Sequence, residues 1–251
     1  MLKAILFDLD DTLLDWRGFN NQWPEFEEVF LGRVFTAISH QIVPLTNFRA
    51  FVDDFRERIR EAWRQGRGTL IAPNLGRVLV ETAEAMGVPS GKIDEAFVLN
   101  AYDWKAVPGT KLFPEVLEVL KTIRDHGIRT GIVTNAAQPM RIRDIEISEF
   151  GLLEHFPECR ISAADVGYLK PHPAIFQRAL DELKMQPEEV IFVGDNPIAD
   201  IAGAQGAGMQ AILRITTPVP PMLSGLIIPD AAVNTLDEML PMLDRWHPGW
   251  R

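Results

Sequence analysis

The chain opens on a short apolar run, Ala4-Ile5-Leu6-Phe7, that ends in Asp8-Leu9-Asp10-Asp11-Thr12. Delivering paired carboxylates to the end of a hydrophobic strand is costly unless a cation or a chemical task compensates. Three later segments set polar groups after or beside apolar runs. Val133 precedes Thr134-Asn135, Leu169 precedes Lys170-Pro171-His172-Pro173, and Ile191-Phe192-Val193 precedes Gly194-Asp195-Asn196, with Asp200 further along. In an open parallel sheet, ligands sit beyond the carboxyl ends of the strands. Gathered at one such edge, three carboxylates, a hydroxyl, an amide and an ammonium suit a phosphate and a hard divalent metal. Mg²⁺ takes oxygen ligands and shares its shell with substrate phosphate.

The elements that must position these groups come in two textures. Residues 2–9 read as a buried strand. From about Asn20 to Asp103 the pattern is helical: Phe26, Val29, Phe30, Arg33 and Val34 follow helical spacing, as do Phe51, Phe55, Ile59 and Trp63. Pro44, Gly66-Arg67-Gly68 with Pro73, and Gly87-Val88-Pro89-Ser90 divide this block into about four helices, with Ser90 as N-cap of the last. After Val107-Pro108-Gly109, strands and helices alternate. Strands are expected at 128–134, 160–162, 190–194, 209–215 and 231–233. Helices are expected at 114–126, 141–150, 173–184, 198–206 and 236–243. Such alternation predicts an α/β fold, a doubly wound, Rossmann-like parallel sheet. The first strand joins that sheet, so the helical block is an insertion. The expected division is a core of residues 1–15 and 108–251 and an α-helical cap of residues 16–107. Its linkers lie near Asp15–Gly18 and Val107–Gly109, and an insertion held by two adjacent linkers can hinge over a site.

Taken together, the polar segments resemble the four sequence motifs of the haloacid dehalogenase superfamily, in the family's order. Motif one is similar to Asp8-Leu9-Asp10-Asp11-Thr12, motif two to Val133-Thr134-Asn135, motif three to Lys170-Pro171, and motif four to Gly194-Asp195 with Asp200. The helical insertion falls where the family carries an α-helical cap. The resemblance implies that Asp8 is the nucleophile, forming an aspartyl-phosphate, and that Asp10 is the general acid and then the base. It implies Mg²⁺ as cofactor, held by Asp8, the backbone carbonyl of Asp10, and Asp195, with Asn196 and Asp200 supporting. Thr134 and Asn135 would hold phosphoryl oxygens, and Lys170 would neutralise charge on the phosphoryl group and the nucleophile.

Plainer readings stand beside these. Asp11 caps or orients the turn, and Asn196 and Asp200 also suit a helix N-terminus. Gly203, Gly206 and Gly208 read as close helix packing and a turn. The single cysteine, Cys159, excludes an intramolecular disulfide and fits a small, partly buried side chain in a reducing compartment.

The activity expected from the resemblance is Mg²⁺-dependent hydrolysis of a small phosphomonoester. Members that dehalogenate 2-haloacids lack a carboxylate at the position of Asp10. Phosphonate-cleaving members use a cap lysine, and here the cap has only Lys92 and Lys105, both late. A dehalogenase, a phosphomutase and a non-catalytic phosphate-ligand binder are the alternatives. The cap should choose the substrate, with Trp16, Trp23, Arg33, His40, Arg64 and Trp104 as candidates.

A formal charge of −10, from 35 acidic against 25 basic residues, argues against a nucleic-acid or anionic-membrane partner. The first apolar run breaks at Asp8 and lacks a signal-peptide core. A cytoplasmic protein is expected, monomeric or homodimeric, acting on a phosphorylated small molecule. The tail Arg245-Trp246-His247-Pro248-Gly249-Trp250 packs either on the core or on a second subunit.

Overall fold

The computed structural model describes residues 1–19, 23–218 and 225–251. Its centre is β1, Ala4–Phe7, in which every residue is buried. Ile5 and Phe7 point into one hydrophobic cluster, while Ala4 and Leu6 point into another. A strand covered on both faces must be apolar throughout, which is why this run shows no polar alternation.

The other strands are β2 (Leu14–Asp15), β3 (Lys111–Leu112), β4 (Arg129–Thr134), β5 (Cys159–Ser162), β6 (Val190–Gly194), β7 (Gln210–Arg214) and β8 (Ala231–Val233). Six of them form one sheet in the order β5-β4-β1-β6-β7-β8, every adjacent pair parallel. The helices are α1 (Trp23–Gln41), α2 (Phe48–Thr69), α3 (Leu75–Ala85), α4 (Glu95–Tyr102), α5 (Val116–Asp125), α6 (Met140–Glu149), α7 (Ala163–Val166), α8 (Pro173–Leu183), α9 (Gly203–Gly206) and α10 (Met239–Trp246). Val116, Leu120 and Ile123 of α5 and Leu243 of α10 cover one face of the sheet. Ile175, Phe176 and Leu180 of α8 cover the other. This is the expected doubly wound architecture with a helical insertion.

Helices α1–α4 lie between β2 and β3 and build a third cluster. Phe30 stacks on Tyr102 with centroids 4.8 Å apart, and Trp104 lies 5.4 Å from Phe30. Ala137 and Ile142, from the segment after β4, join the same cluster. The insertion is thus packed against the region that follows motif two. No described helix is long and apolar enough to cross a membrane.

Local differences from the sequence reading have physical causes. The expected start of the helical block at Asn20 lies outside the described residues. The last helix of the insertion is capped by Asp94, whose carboxylate accepts from the Phe97 amide, and not by Ser90. Residues 89–92 form a turn instead, with the Lys92 amide bonded to the Pro89 carbonyl and Gly91 at φ +75°. Strands β2 and β3 pair antiparallel over two residues each, too short to carry a period. The helix after motif four starts as a π-helical turn, Pro197–Ala202, and becomes α9. The tail packs on the core: Trp250 is buried in the first cluster, its indole N–H donating to Asp244. Cys159 is buried, and burial pushes its thiol up to about 12.

A Cβ at Gly203 would lie 2.6 Å from the Phe176 ring and 3.0 Å from the Pro171 backbone. Gly203→Ala therefore overpacks the contact between α9 and α8, with an expected cost of about 1–3 kcal/mol. Urea unfolding should show a lower midpoint with an unchanged slope.

Candidate active site

The carboxyl ends of β1, β4 and β6 meet the start of α8, and there the four motifs converge. Lys170 is the hub. Its side chain is 1% exposed, and its ammonium lies 2.6 Å from Asp8 Oδ1 and 2.6 Å from Asp200 Oδ1. It also donates to the Val133 carbonyl at 2.8 Å and lies 5.3 Å from the Phe192 ring centroid. Burial pulls the lysine toward its neutral form, but the two carboxylates outweigh it and hold the ammonium charged. Asp8 is raised well above the ordinary carboxylate range, first by burial and then by Asp200 and Asp10, against the pull of Lys170.

Asn135 serves the hub from the other side. Its Nδ2 donates to the Lys170 carbonyl at 3.1 Å, and its Oδ1 accepts from the Lys170 amide at 2.7 Å. The side chain expected to hold a phosphoryl oxygen thus clamps the backbone of the motif-three lysine. Asp200 is likewise committed: Oδ1 meets Lys170, and Oδ2 accepts from the Asn196 amide at 2.9 Å. Asn196 caps the following turn, accepting from the Ile198 and Ala199 amides. Gly194 makes the close approach possible, since a Cβ there would lie 2.4 Å from Asp200 Cγ.

Asp8, Asp195 and Asp200 present ligand atoms within 4.8 Å of one another. One ammonium stands against three carboxylates, so the local charge is unbalanced by about two negative units. Oxygen donors of this kind fit a hard divalent cation. Among the described residues no hydrogen bond uses Asp8 Oδ2, and Asp195 is half-buried with an opening to solvent. Burial, then Asp200 and Asp11, push Asp195 up to about 7.

Asp10 stands apart from this acidic group. Its Oδ1 accepts from the Trp16 indole N–H at 2.9 Å. Arg143 Nη2 donates to Oδ1 at 2.9 Å and to Oδ2 at 3.1 Å, and the Thr134 hydroxyl lies 3.4 Å from Oδ2. Thr134, expected to meet phosphate, thus also faces Asp10. Asp11 takes φ +59° and bonds through its amide to the Leu14 carbonyl, as a turn residue.

Of the candidates expected from the insertion, Trp16 alone contacts a motif carboxylate. Trp104 donates to Glu146, and Trp23 packs on Trp104. Arg33 pairs with Asp103 and Arg64 with Glu61, and His40 is exposed at the end of α1. His172 caps α8 and stacks on Tyr168 with centroids 3.9 Å apart. The sequence reading missed Arg143. It lies outside every motif, and its only signal was an arginine on a helix just after motif two.

A family model for haloacid dehalogenase-like hydrolases matches residues 2–208. The chain belongs to this family. Curated relatives include Pyrophosphatase PpaX of Bacillus mycoides (strain KBAB4), 31% identical over 133 residues, or 53% of this chain and 60% of the relative. Pyrophosphatase PpaX of Bacillus cereus (strain G9842) is 32% identical over 135 residues, 54% of this chain and 61% of the relative. The match therefore leaves more than a third of each relative's length uncovered. Among solved structures, a 2-haloacid dehalogenase from Pseudomonas syringae pv. Tomato DC3000 aligns at TM-score 0.61 and 24% identity, covering 98% of this chain and 100% of that one. A HAD phosphatase from Thermococcus onnurineus aligns at TM-score 0.58 and 22% identity, covering 96% and 98%. At those identities the likeness speaks to the fold.

Two outcomes are expected. Lys170→Met leaves Asp8 and Asp200 facing each other without their cation. In chelator, urea unfolding should show a loss of about 3–5 kcal/mol. Second, without a bound cation the raised Asp195 opposes folding increasingly as pH rises from the unfolded carboxylate range to about 7. Below that, protons compete with a cation for the same oxygens. A divalent cation should therefore raise the melting temperature more at about pH 8 than at about pH 5.5.

Proposed function

We propose that the chain is a Mg²⁺-dependent phosphatase that hydrolyses a small-molecule phosphomonoester through an aspartyl-phosphate. The observation that carries this reading is the pairing of an available nucleophile oxygen on Asp8 with a second carboxylate, Asp10, fixed by three donor side chains nearby. A halide leaving group needs neither a proton nor a metal. An alkoxide needs both a proton and charge neutralisation, and the site holds residues for each.

Asp8 Oδ2 attacks phosphorus, the bond to the leaving oxygen breaks, and its electron pair takes the proton carried by Asp10. Asp10, now a carboxylate, receives a proton from water as the water oxygen attacks the aspartyl-phosphate. The phosphorus–Asp8 bond then breaks, releasing inorganic phosphate and restoring Asp8. Lys170 holds Asp8 in place and offsets charge on the transferring group. Thr134 and Asn135 border the phosphoryl position. Mg²⁺, held by Asp8, the Asp10 carbonyl and Asp195, with Asn196 and Asp200 behind them, would supply further charge neutralisation. In this reading residues 16–107 act as a cap over a core of residues 1–15 and 108–251, and the cap selects the substrate.

The likeness to pyrophosphatases favours one second reading, a phosphoanhydride such as pyrophosphate as substrate. The same residues would then act on a leaving group that is itself a phosphate.

The test is release of inorganic phosphate from a panel of sugar phosphates, nucleoside monophosphates, small organic phosphates and pyrophosphate, with Mg²⁺ or with chelator. Turnover should need the metal, and Asp8→Asn should lower it by at least about a thousandfold while the fold is kept. Full activity in Asp8→Asn would sink the mechanism. Halide release from 2-chloropropionate in chelator, with no phosphate release, would replace it with dehalogenation.

A further inference from the structure

Asp10 is held from the α6 side by a residue that no motif contains. Arg143 is 3% exposed and Glu146, one turn further on the same face of α6, is completely buried. Arg143 Nη2 reaches both oxygens of Asp10, and Arg143 Nε lies 3.3 Å from Glu146 Oε2. That same Glu146 oxygen accepts from the Trp104 indole N–H at 3.1 Å. Trp104 in turn belongs to the aromatic cluster of the insertion. The result is a buried chain of contacts, Asp10–Arg143–Glu146–Trp104, running from the motif-one loop through α6 to the inserted helices.

Stability alone is a weak reason for this chain. Arg143 Nε and Glu146 Oε1 have no hydrogen-bond partner among the described residues. A buried ion pair that is incompletely satisfied is generally matched or bettered by apolar side chains of the same volume. What the pair does supply is direction. An aspartate carboxylate turns about two side-chain bonds and needs to be aimed to transfer a proton, and misplacement by about 1 Å can cost about a hundredfold in rate.

We infer that Arg143 is a positioning residue that fixes the direction of the Asp10 carboxylate, and that Glu146, anchored by Trp104, fixes Arg143. The inference rests on the acid–base role proposed for Asp10. It adds that the accuracy of proton delivery is set from α6, the helix on which the insertion rests.

This role has a signature that a merely structural one lacks. Proton delivery matters most when the departing oxygen is a poor leaving group. The test compares wild type, Arg143→Lys, and the double variant Arg143→Met/Glu146→Leu, which removes both buried charges together. kcat and KM are measured with Mg²⁺ on p-nitrophenyl phosphate, phenyl phosphate and glycerol phosphate, and inhibition by inorganic phosphate is measured alongside. The double variant should lose at least about tenfold more kcat/KM, which reads the step in which the alcohol departs, on glycerol phosphate than on p-nitrophenyl phosphate. Phosphate inhibition should stay within about threefold, and Arg143→Lys should recover part of the loss. An equal loss of kcat/KM on all three esters, or no loss, overturns the inference. Should the double variant fail to fold, the same comparison on Arg143→Lys decides. If wild type releases no phosphate from any ester, the phosphatase reading fails and this inference with it. Wild-type turnover with an even loss of kcat/KM across the esters overturns the positioning role alone.

Discussion

Everything at the carboxyl edge of the sheet depends on one buried ammonium. Lys170 bridges Asp8, 162 positions earlier in the chain, to Asp200 and to the Val133 carbonyl. Each partner sits at the end of, or just beyond, a different parallel strand. A buried lysine is tolerated only when carboxylates compensate it, and a buried carboxylate only when a cation does. The loops after β1, β4 and β6 are therefore constrained together. Neighbouring details follow from keeping this contact short. Asn135 fixes the lysine's backbone with both ends of its amide, and Gly194 leaves room for Asp200. Since one cation faces three acidic groups, the arrangement is satisfied electrostatically only when further positive charge arrives.

Asp10 occupies a different kind of place. It collects donors from the linker that follows motif one (Trp16), from the end of β4 (Thr134) and from α6 (Arg143). Two of those segments, the one with Trp16 and α6, also pack with the inserted helices. The carboxylate nearest the bridging lysine and the one next to it in the motif thus answer to separate structural supports. One is tied to the sheet and the other to the boundary between the sheet and the insertion.

Much of this was legible in the sequence, for a physical reason. Strands buried on both faces are uninterrupted apolar runs, so a polar residue at their end stands out, as Asp8, Thr134 and Asp195 do; Lys170 stands out instead as a basic residue in a proline-flanked loop at a helix start. Strand Val190–Gly194 matches its expected bounds because nothing in it can face water. Legibility ended where the cause was tertiary. Arg143 looks like any helix arginine until the fold turns its face inward, and the use of both ends of the Asn135 amide cannot be read from spacing. The ribbon of β2 and β3 was invisible because two residues carry no period. Ser90 gave way to Asp94 because Gly91 continues the turn at positive φ before a helix can begin.

That small ribbon carries a consequence of its own. Leu14 pairs with Leu112 and Asp15 with Lys111, so the chain leaves the sheet and returns to it at the same spot. Just beyond, Gly18 and Gly109 lie so close that a Cβ on Gly18 would come within 2.3 Å of the Gly109 carbonyl oxygen. The backbone entering the four helices is zipped to the backbone leaving them. In topological terms the insertion is an enlarged hairpin loop, and the sheet is closed without it. A helical block mounted in this way could be shortened, lengthened or exchanged over evolutionary time with little disturbance to strand order. The contacts such an exchange would have to rebuild are identifiable: those made to α6, those of the Trp16 indole, and the backbone pairing of Leu70 and Ala72 with Leu169 and Gly167.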